Sequence, residues 1–306
     1  MIVIIGSYNV GLFLKGRRLP GRGETVIADS FFESGGGKGS NQAVSAATMG
    51  APVRFIGRIG DDKYGKDALA LYRERGIECD RIQVDATTHT GISIILIDED
   101  GRNMISVAPG ANLNLTPADI DHCAAELRAA FCVGFQLENR PETVFHGIRQ
   151  CHAWGITTFL DPAPAVPLPD DLYPCINIIK PNETEARILT GIEVTDRDSA
   201  IRAGRWLCGK GVRHALVTLG ELGSVLVGEG RESYFPATKV DAIDTTGAGD
   251  IFAGAFLAGL HRHAPMDEAI RFASFAAALA TTKIGVVNAI PTLAEVGAFM
   301  QRGAAG

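Results

Sequence analysis

The chain has 306 residues, of which 46% are hydrophobic and 21% charged, a balance typical of a globular protein with a substantial core. Its net charge is -6 and it contains no long cluster of Lys and Arg, so we expect no nucleic acid among its partners. Its apolar runs are shorter than the ~20 residues of a membrane-spanning helix and its six cysteines form no C-x-x-C pair, so we expect no membrane association and a cytoplasmic location.

The first predicted element is a buried strand over residues 2–5, which ends at Gly6. No basic stretch precedes it, so we expect no secretion signal. Residues 10–34 have mixed character, and weak alternation over 24–32 predicts an exposed strand there. A glycine-rich turn, residues 34–42, then leads into a predicted helix over 43–49.

The next predicted elements are a strand over 53–57 and a helix over 64–75. Two β-rich runs follow, 90–97 and 103–107, and the sequence Asp-Glu-Asp-Gly between them predicts a hairpin. With residues 10–34, this hairpin is expected to form a small antiparallel sheet beside the main domain.

From residue 116 onward, predicted helices and strands alternate regularly. The helices are expected at 117–129, 141–154, 183–190, 198–210, 248–261, 266–282 and 292–302. The strands are expected at 131–135, 156–160, 175–179, 215–219 and 239–243, with a hairpin over 224–235. This alternation predicts an α/β fold with a parallel sheet between helices. We expect one domain, 1–306, with a β lid formed by segments 10–34 and 89–107.

The stretch from Asp241 to Phe256 predicts a strand, a glycine turn and a helix. Gly247 and Gly249 allow backbone N–H groups to converge at the helix start, where they would attract an anion. Asp250 in the same turn could accept a proton, and phosphoryl transfer to an alcohol requires both features. The alternative is an ordinary glycine-rich connection in which Asp250 caps the helix.

Polar residues follow several of the predicted strands. They are Asn9, Glu138, Asp161, Asn182 to Glu185, and Thr218 to Gly220. Each of them alone could be a helix cap or a turn residue. Ligands bind past the carboxyl ends of strands in open α/β sheets, so their shared position favours a binding site.

The loop from Gly35 to Gly39 does not match the two common nucleotide motifs. Gly39 follows Lys38 where a Walker A motif needs Ser or Thr, and Ser40 occupies the last glycine position of the dinucleotide fingerprint. Its backbone amides, together with Asn41, suit a polyhydroxylated ligand. The alternative is close packing of the helix against the loop.

Three motifs in order carry a resemblance to a known family. They are the stretches Gly35–Ala43, Pro181–Glu185 and Asp244–Asp250. With these residues the chain resembles the ribokinase (PfkB) family of carbohydrate kinases over essentially its whole length. The resemblance implies a ribokinase-like three-layer α/β sandwich, with a central mostly parallel sheet between helices and a small β-sheet lid. It also implies an ATP-dependent kinase that phosphorylates a primary hydroxyl of a pentose such as ribose, and a homodimer formed through the lid.

The same resemblance implies roles for individual residues. Asp250 would be the base, and Gly247, Ala248 and Gly249 would form the anion hole. The sugar-binding residues would be Asn9, Gly36, Gly37, Lys38, Asn41, Glu138 and Asp250. The nucleotide-binding residues would be Asn182, Glu185, Thr218, Gly220, Gly223 and Gly249. Glu185 would also belong to the Mg²⁺ shell, and K⁺ would be held by Asp244, Thr246 and backbone groups of Ala280, Lys283 and Gly285.

Two positions depart from the family pattern. Gly11 stands where the family's Gly-Ser-x-Asn-x-Asp motif has a sugar-binding Asp, which leaves open another small sugar, a sugar acid or a nucleoside as acceptor. A catalytically weak, sugar-sensing regulator is a further alternative. Ala289 stands where the family has Ser in the cation loop, so weaker K⁺ binding is expected.

Overall fold

The computed structural model describes residues 1–303, so residues 304–306 of the predicted domain 1–306 lie outside it. The strands are β1 (Ile2–Ile5), β2 (Asn9–Lys15), β3 (Ser30–Gly36), β4 (Val53–Gly60), β5 (Ile82–Asp85), β6 (Gly91–Ile97), β7 (Asn103–Ala108), β8 (Cys132–Phe135), β9 (Thr157–Leu160), β10 (Ile178–Ile179), β11 (His214–Thr218), β12 (Ser224–Gly228) and β13 (Arg231–Phe235). The α-helices are α1 (Lys38–Thr48), α2 (Lys63–Glu74), α3 (Pro117–His122), α4 (Ala124–Arg128), α5 (Pro141–Ala153), α6 (Glu183–Thr190), α7 (Arg197–Gly209), α8 (Ala248–His261), α9 (Met266–Thr281) and α10 (Leu293–Gly303).

The main sheet has nine strands in the order β13-β12-β11-β10-β9-β8-β1-β4-β5. All neighbouring pairs from β11 to β5 are parallel, whereas β12 and β13 are antiparallel additions at one edge. Strand β1 shows that both faces are covered, since Ile2 and Ile4 belong to one buried cluster and Val3 and Ile5 to the other. The predicted mostly parallel sheet between layers of helices is confirmed.

The second sheet, called the small sheet below, has the order β3-β2-β6-β7. Its hairpin β6–β7 lies where the sequence predicted it, but β2 and β6 pair in parallel, so the expected purely antiparallel sheet is wrong. Strands β2 and β6 leave the main sheet after β1 and β5, which lie in parallel orientation. Both therefore run outward in the same direction.

Several element predictions need correction. Strand β2 was missed, and the exposed strand expected at 24–32 is β3, Ser30–Gly36. Strand β5 was also missed, and the helix expected at 117–129 is divided between α3 and α4. The strand expected at 239–243 does not form, because the backbone N–H of Ile243 donates instead to the Thr281 carbonyl at the end of α9 (2.7 Å).

Helix α1 begins at Lys38, within the glycine-rich stretch that the sequence analysis treated as a turn before a helix at 43–49. A Cβ on Gly39 would lie 2.7 Å from Gly6 Cα, so the missing side chain lets the first turn of α1 pack against the loop after β1. Packing therefore overrides the low helix propensity of this segment. Among residues 1–303, none of the helices is long and apolar enough to cross a membrane.

Candidate active site

Asp250 lies in the first turn of α8 and is 6% exposed. Its carboxylate accepts a hydrogen bond from Asn41 Nδ2 (2.9 Å), and Gln42 Nε2 lies 3.4 Å from its other oxygen. Both amides come from α1, which packs against α8 so closely that a Cβ on Gly254 would lie 2.4 Å from the Gln42 carbonyl oxygen. The N-terminal ends of α1 and α8, which the sequence analysis treated as two separate motifs, therefore lie side by side.

A second polar group surrounds Glu138. This carboxylate accepts hydrogen bonds from the backbone N–H of Lys38 (2.9 Å), from Asn9 Nδ2 (3.4 Å) and from the Ser7 hydroxyl. Asn112, buried in the loop after β7, donates to Asn9 Oδ1 (2.9 Å) and fixes the orientation of that amide. The structure thus brings Asn9, Lys38 and Glu138 together at the start of α1, beside Asp250.

Beneath Asp250 lies a buried ion pair. Lys180 Nζ is 3.2 Å from Asp161 Oδ1, and the two residues are 3% and 2% exposed. Gln42 Nε2 donates to Asp161 Oδ2 (2.8 Å), so Gln42 links Asp161 to Asp250. Burial raises the pKa of the Asp161 carboxyl above its usual range, although the charges of Lys180 and Lys38 oppose this shift. The charge of Asp250, in turn, is the largest cause of a raised pKa at Lys38.

Asn182 and Glu185 form a reciprocal capping box at the start of α6. Glu185 accepts from the backbone N–H and from the side-chain amide of Asn182, both at 2.9 Å, so the two residues cap the start of α6. Burial also raises the pKa of the Glu185 carboxyl, with Asp161 as the next contributor. The role of Glu185 in a Mg²⁺ shell stays a prediction.

The residues predicted to line a nucleotide groove lie at the end of β11. The backbone N–H of Thr218 donates to the Pro181 carbonyl (2.9 Å), which joins this strand end to the α6 cap. Gly220 and Gly223 have φ angles of 50° and 100°. A Cβ on Gly223 would lie 2.0 Å from the Phe235 carbonyl oxygen, so packing alone requires glycine at that position.

The glycines of the two helix starts differ in what they contact. A Cβ on Gly37 would lie 2.7 Å from Asn9 N, and one on Gly247 would lie 2.4 Å from Val286 Cγ1, so close packing explains both. Gly36 and Gly249 have more room. At Gly249 the nearest atom to an added Cβ is Lys180 Nζ, at 3.7 Å, which places the lysine ammonium beside the predicted anion hole.

The predicted cation loop is joined to the α8 turn by Asp244. Its carboxylate accepts from the backbone N–H groups of Thr246 (2.9 Å) and Gly285 (3.0 Å). The loop of Lys283 and Gly285 directly follows Ala280 and the end of α9. The Ala280 carbonyl accepts from the backbone N–H of Lys283 (3.0 Å). Carboxylate and carbonyl oxygens are the donors that a hard cation prefers, and a K⁺ site at these residues stays a prediction.

No group of three or more His, Cys, Asp or Glu within residues 1–303 is placed to hold a metal ion by itself. Magnesium typically keeps several waters and is held by one or two carboxylates together with substrate phosphates. Glu185 alone therefore fits a Mg²⁺ ion that arrives with ATP.

The sequence analysis missed several residues of this site. Asp161 was noted at a strand end but given no role, and Lys180, which directly follows β10, was overlooked because it lies between an apolar run and Pro181. The only sequence feature that could have pointed to Gln42 as a site residue is its position directly after Asn41. Asn112 had none, since its contact with Asn9 joins distant segments.

Strand β2 presents Asn9, Gly11 and Phe13 on one face, because alternate residues of a strand share a face. A Cβ on Gly11 would lie 2.6 Å from Phe13 Cε2, so the Phe13 ring occupies the space that a side chain at residue 11 would need. The ring stacks on Phe32 with centroids 4.5 Å apart and planes 5° apart. An apolar wall therefore continues from the Asn9 and Glu138 group along β2.

Comparisons with known proteins cover almost the whole chain. The model of the pfkB family of carbohydrate kinases matches residues 1–293. The ribokinase of Haemophilus influenzae is 37% identical over 300 residues, and the deoxyribokinase of Salmonella typhi is 34% identical over 300 residues; each alignment covers 98% of both chains. The structure of Arabidopsis thaliana ribokinase complexed with ribose and ATP matches with a TM-score of 0.91 at 30% identity, over 98% of each chain.

Proposed function

The chain belongs to the pfkB family of carbohydrate kinases, and we propose that it transfers the γ-phosphoryl group of ATP to a primary hydroxyl of a pentose such as ribose. The observation that supports this most directly is the position of Asp250. Its carboxylate lies at the start of α8, beside the Gly247–Gly249 turn, and is held by Asn41 from the helix that also presents Lys38 to Glu138. A base, an anion-binding turn and a group for sugar hydroxyls are thus adjacent.

In this reaction the sugar hydroxyl gives its proton to Asp250, and its oxygen forms a bond to the γ-phosphorus. The bond from that phosphorus to the bridging oxygen breaks, and ADP leaves with the electron pair. Backbone amides of Gly247, Ala248 and Gly249 hold the negative charge of the transferred group. The transition state is loose, so positioning by Asn9, Gly36, Gly37, Lys38, Asn41 and Glu138 supplies much of the rate.

Two cations complete the proposal. Mg²⁺ bound with ATP would supply positive charge to the phosphates. Glu185 and Asn182 would hold the metal and phosphates, and Thr218, Gly220 and Gly223 would line the nucleotide groove. Asp244, Thr246 and backbone groups of Ala280, Lys283 and Gly285 would hold K⁺ and keep the α8 turn in place. We also propose that the enzyme acts in the cytoplasm.

The small sheet supports a proposed lid and homodimer. Strand β7 is exposed along its whole length, with Met104 and Ile105 52% and 59% exposed. Apolar side chains this exposed indicate a surface that a substrate-bound state or a second copy covers. Light scattering of the purified chain tests the dimer, and Ile105→Asp should shift the measured mass toward the monomer if β7 lies in the interface.

The main test of the function is ADP release with ATP, Mg²⁺ and K⁺ across pentoses, hexoses, sugar acids and nucleosides. The proposal predicts turnover with a pentose that has a primary hydroxyl. Turnover confined to sugar acids or nucleosides would assign a different acceptor to the same chemistry. No turnover with any acceptor, combined with measurable sugar binding by calorimetry, would favour a sugar-sensing regulator.

A second acceptor, a deoxy pentose, is favoured by the apolar wall of Phe13 and Phe32. A site built to hydrogen-bond a hydroxyl rejects analogues that lack it, whereas an apolar wall leaves a hydroxyl unpaired. Gly11 offers no side chain that could accept a hydrogen bond, and the Phe13 ring fills the space beside it. A sugar carbon without a hydroxyl group therefore fits this position better than one that carries a hydroxyl. The similarity to a deoxyribokinase agrees with this choice. The test is the ratio of kcat/KM for 2-deoxyribose and ribose.

A further inference from the structure

Lys180 is a buried cation whose single ion pair within residues 1–303 is with Asp161. Lysine is almost never fully buried unless its charge is matched, and removing it from water requires compensation. One ion pair leaves further N–H donors on the ammonium, and Lys180 Nζ lies 3.7 Å from the position of a Cβ added at Gly249. The ammonium therefore faces the turn at which the transferred phosphoryl group is expected.

We propose that Lys180 is a further catalytic residue, whose ammonium donates hydrogen bonds to the γ-phosphoryl oxygens while the group moves from ATP to the sugar oxygen. This inference rests on the proposed kinase function. The bonds that form and break are those of the reaction above: the sugar oxygen binds the γ-phosphorus, the bond to the bridging oxygen breaks, and the proton goes to Asp250. Lys180 takes no part in the proton transfer and places positive charge beside the negatively charged oxygens of the transferred group.

Asp161 acts as a positioning residue in this arrangement. One of its oxygens pairs with Lys180 on the phosphate side, and the other accepts from Gln42, which approaches Asp250 on the acceptor side. A single buried carboxylate thereby fixes the cation and, through Gln42, the base. The competing explanation is that Lys180 only neutralises Asp161, and the two explanations predict different results when both charges are removed.

The first test is Lys180→Met. Loss of one donor to a transition-state oxyanion typically lowers kcat by about 10²–10³-fold, and we expect a loss of that order with the KM for the sugar changed only a few-fold. Binding provides a readout that does not depend on turnover: calorimetry should show weaker binding of a non-hydrolysable ATP analogue, on the order of tenfold, and unchanged binding of ADP. Lys210→Met, which breaks an exposed ion pair with Asp170, is the matched control and should leave both properties unchanged.

The second test is the double variant Lys180→Met/Asp161→Asn, which also keeps the proposal testable if Lys180→Met alone does not fold. If Lys180 only neutralises Asp161, removing both charges should restore kcat to within a few-fold of the wild-type value, and the proposal is then wrong. If Lys180 contacts the phosphoryl group, a folded double variant keeps both the low kcat and the weaker binding of the ATP analogue seen in Lys180→Met; the loss of the Asp161 contact with Gln42, on the acceptor side, does not explain the weaker binding. Absence of turnover in the wild-type chain would instead contradict the kinase function, whereas an active wild type with a fully active Lys180→Met would contradict this inference alone.

Discussion

The buried floor of the candidate site and the small sheet differ in the kind of contacts that hold them. The floor of the site is formed by Gln42, Asp161, Lys180 and Asp250. These residues are buried and polar, and each contacts another of the four. Strands β6 and β7 of the small sheet are mostly apolar, and β7 has no buried residue. The proposed proton acceptor and its neighbours are therefore held by polar partners inside one chain, as are Asn9 and Glu138, whereas β7 has few such partners.

The largest expected effect is a loss of kcat when Asp250, in the floor of the site, is replaced. Asp250→Asn keeps the shape of the side chain and can still contact Asn41, but it removes the proton acceptor. General base catalysis contributes about 10²–10⁴-fold, so we expect kcat to fall by that order while the Kd for ATP, measured by calorimetry, changes little. If Asp250→Asn keeps more than a tenth of the wild-type kcat, another group accepts the proton.

A second prediction concerns the free energy of unfolding. Burial raises the folded-state pKa of Asp161 above its unfolded value of about 3.9, so the folded chain binds more protons in that pH window. Stability from this group is therefore present below the unfolded pKa and is lost as pH rises through the folded pKa. Asp161→Asn leaves the buried Lys180 charge without its ion pair, so we expect a lower stability than the wild type near pH 4. The pH dependence is the readout: the stability of Asp161→Asn relative to the wild type should rise with pH between the unfolded and the folded pKa of Asp161.

Asp85 is the matched control for that measurement. It is also buried, but Asn114 and Thr87 donate to it, and these hydrogen bonds lower its pKa. Its stabilisation is present above the unfolded pKa and is lost as pH falls toward the folded pKa. Asp85→Asn should therefore be less stable than the wild type at pH 7, with the difference shrinking in acid. Urea unfolding at several pH values measures both variants, and slopes of the same sign would contradict the comparison.

The small sheet gives a smaller effect, on selectivity. Gly11→Asp alone would place its Cβ 2.6 Å from Phe13 Cε2, so we pair it with Phe13→Leu to make room. The new carboxylate can accept hydrogen bonds from sugar hydroxyls worth about 1.5–3 kcal/mol each, so kcat/KM for ribose relative to 2-deoxyribose should rise at least tenfold. Phe13→Leu alone is the control. An unchanged ratio in the double variant would show that this face of β2 does not contact the acceptor.

The same contrast explains what could be predicted from the sequence. The alternation of helices and strands gave the main sheet, because each element there buries residues at its own period. Glycine turns identified Asp250 and the start of α1 as candidates. Lys180 could not be found in this way, since its burial and its distance to Gly249 depend on β10 and α8 meeting in space. The Phe13 ring over Gly11 was equally hidden, because rotamers of a half-buried strand are set by cross-strand neighbours such as Phe32.

The smallest expected effect concerns K⁺ and the buried Ala289. Ala289→Ser adds a hydroxyl at a position that is 1% exposed, and a buried hydroxyl without a partner costs about 1–3 kcal/mol. If the loop of Asp244 and Gly285 holds K⁺, the new hydroxyl gains a partner when the ion binds. Added K⁺ should then raise the melting temperature of Ala289→Ser more than that of the wild type, and half-maximal activation should need a few-fold less K⁺. Asp244→Asn should weaken both responses, whereas an equal K⁺ response in all three proteins would place the cation elsewhere.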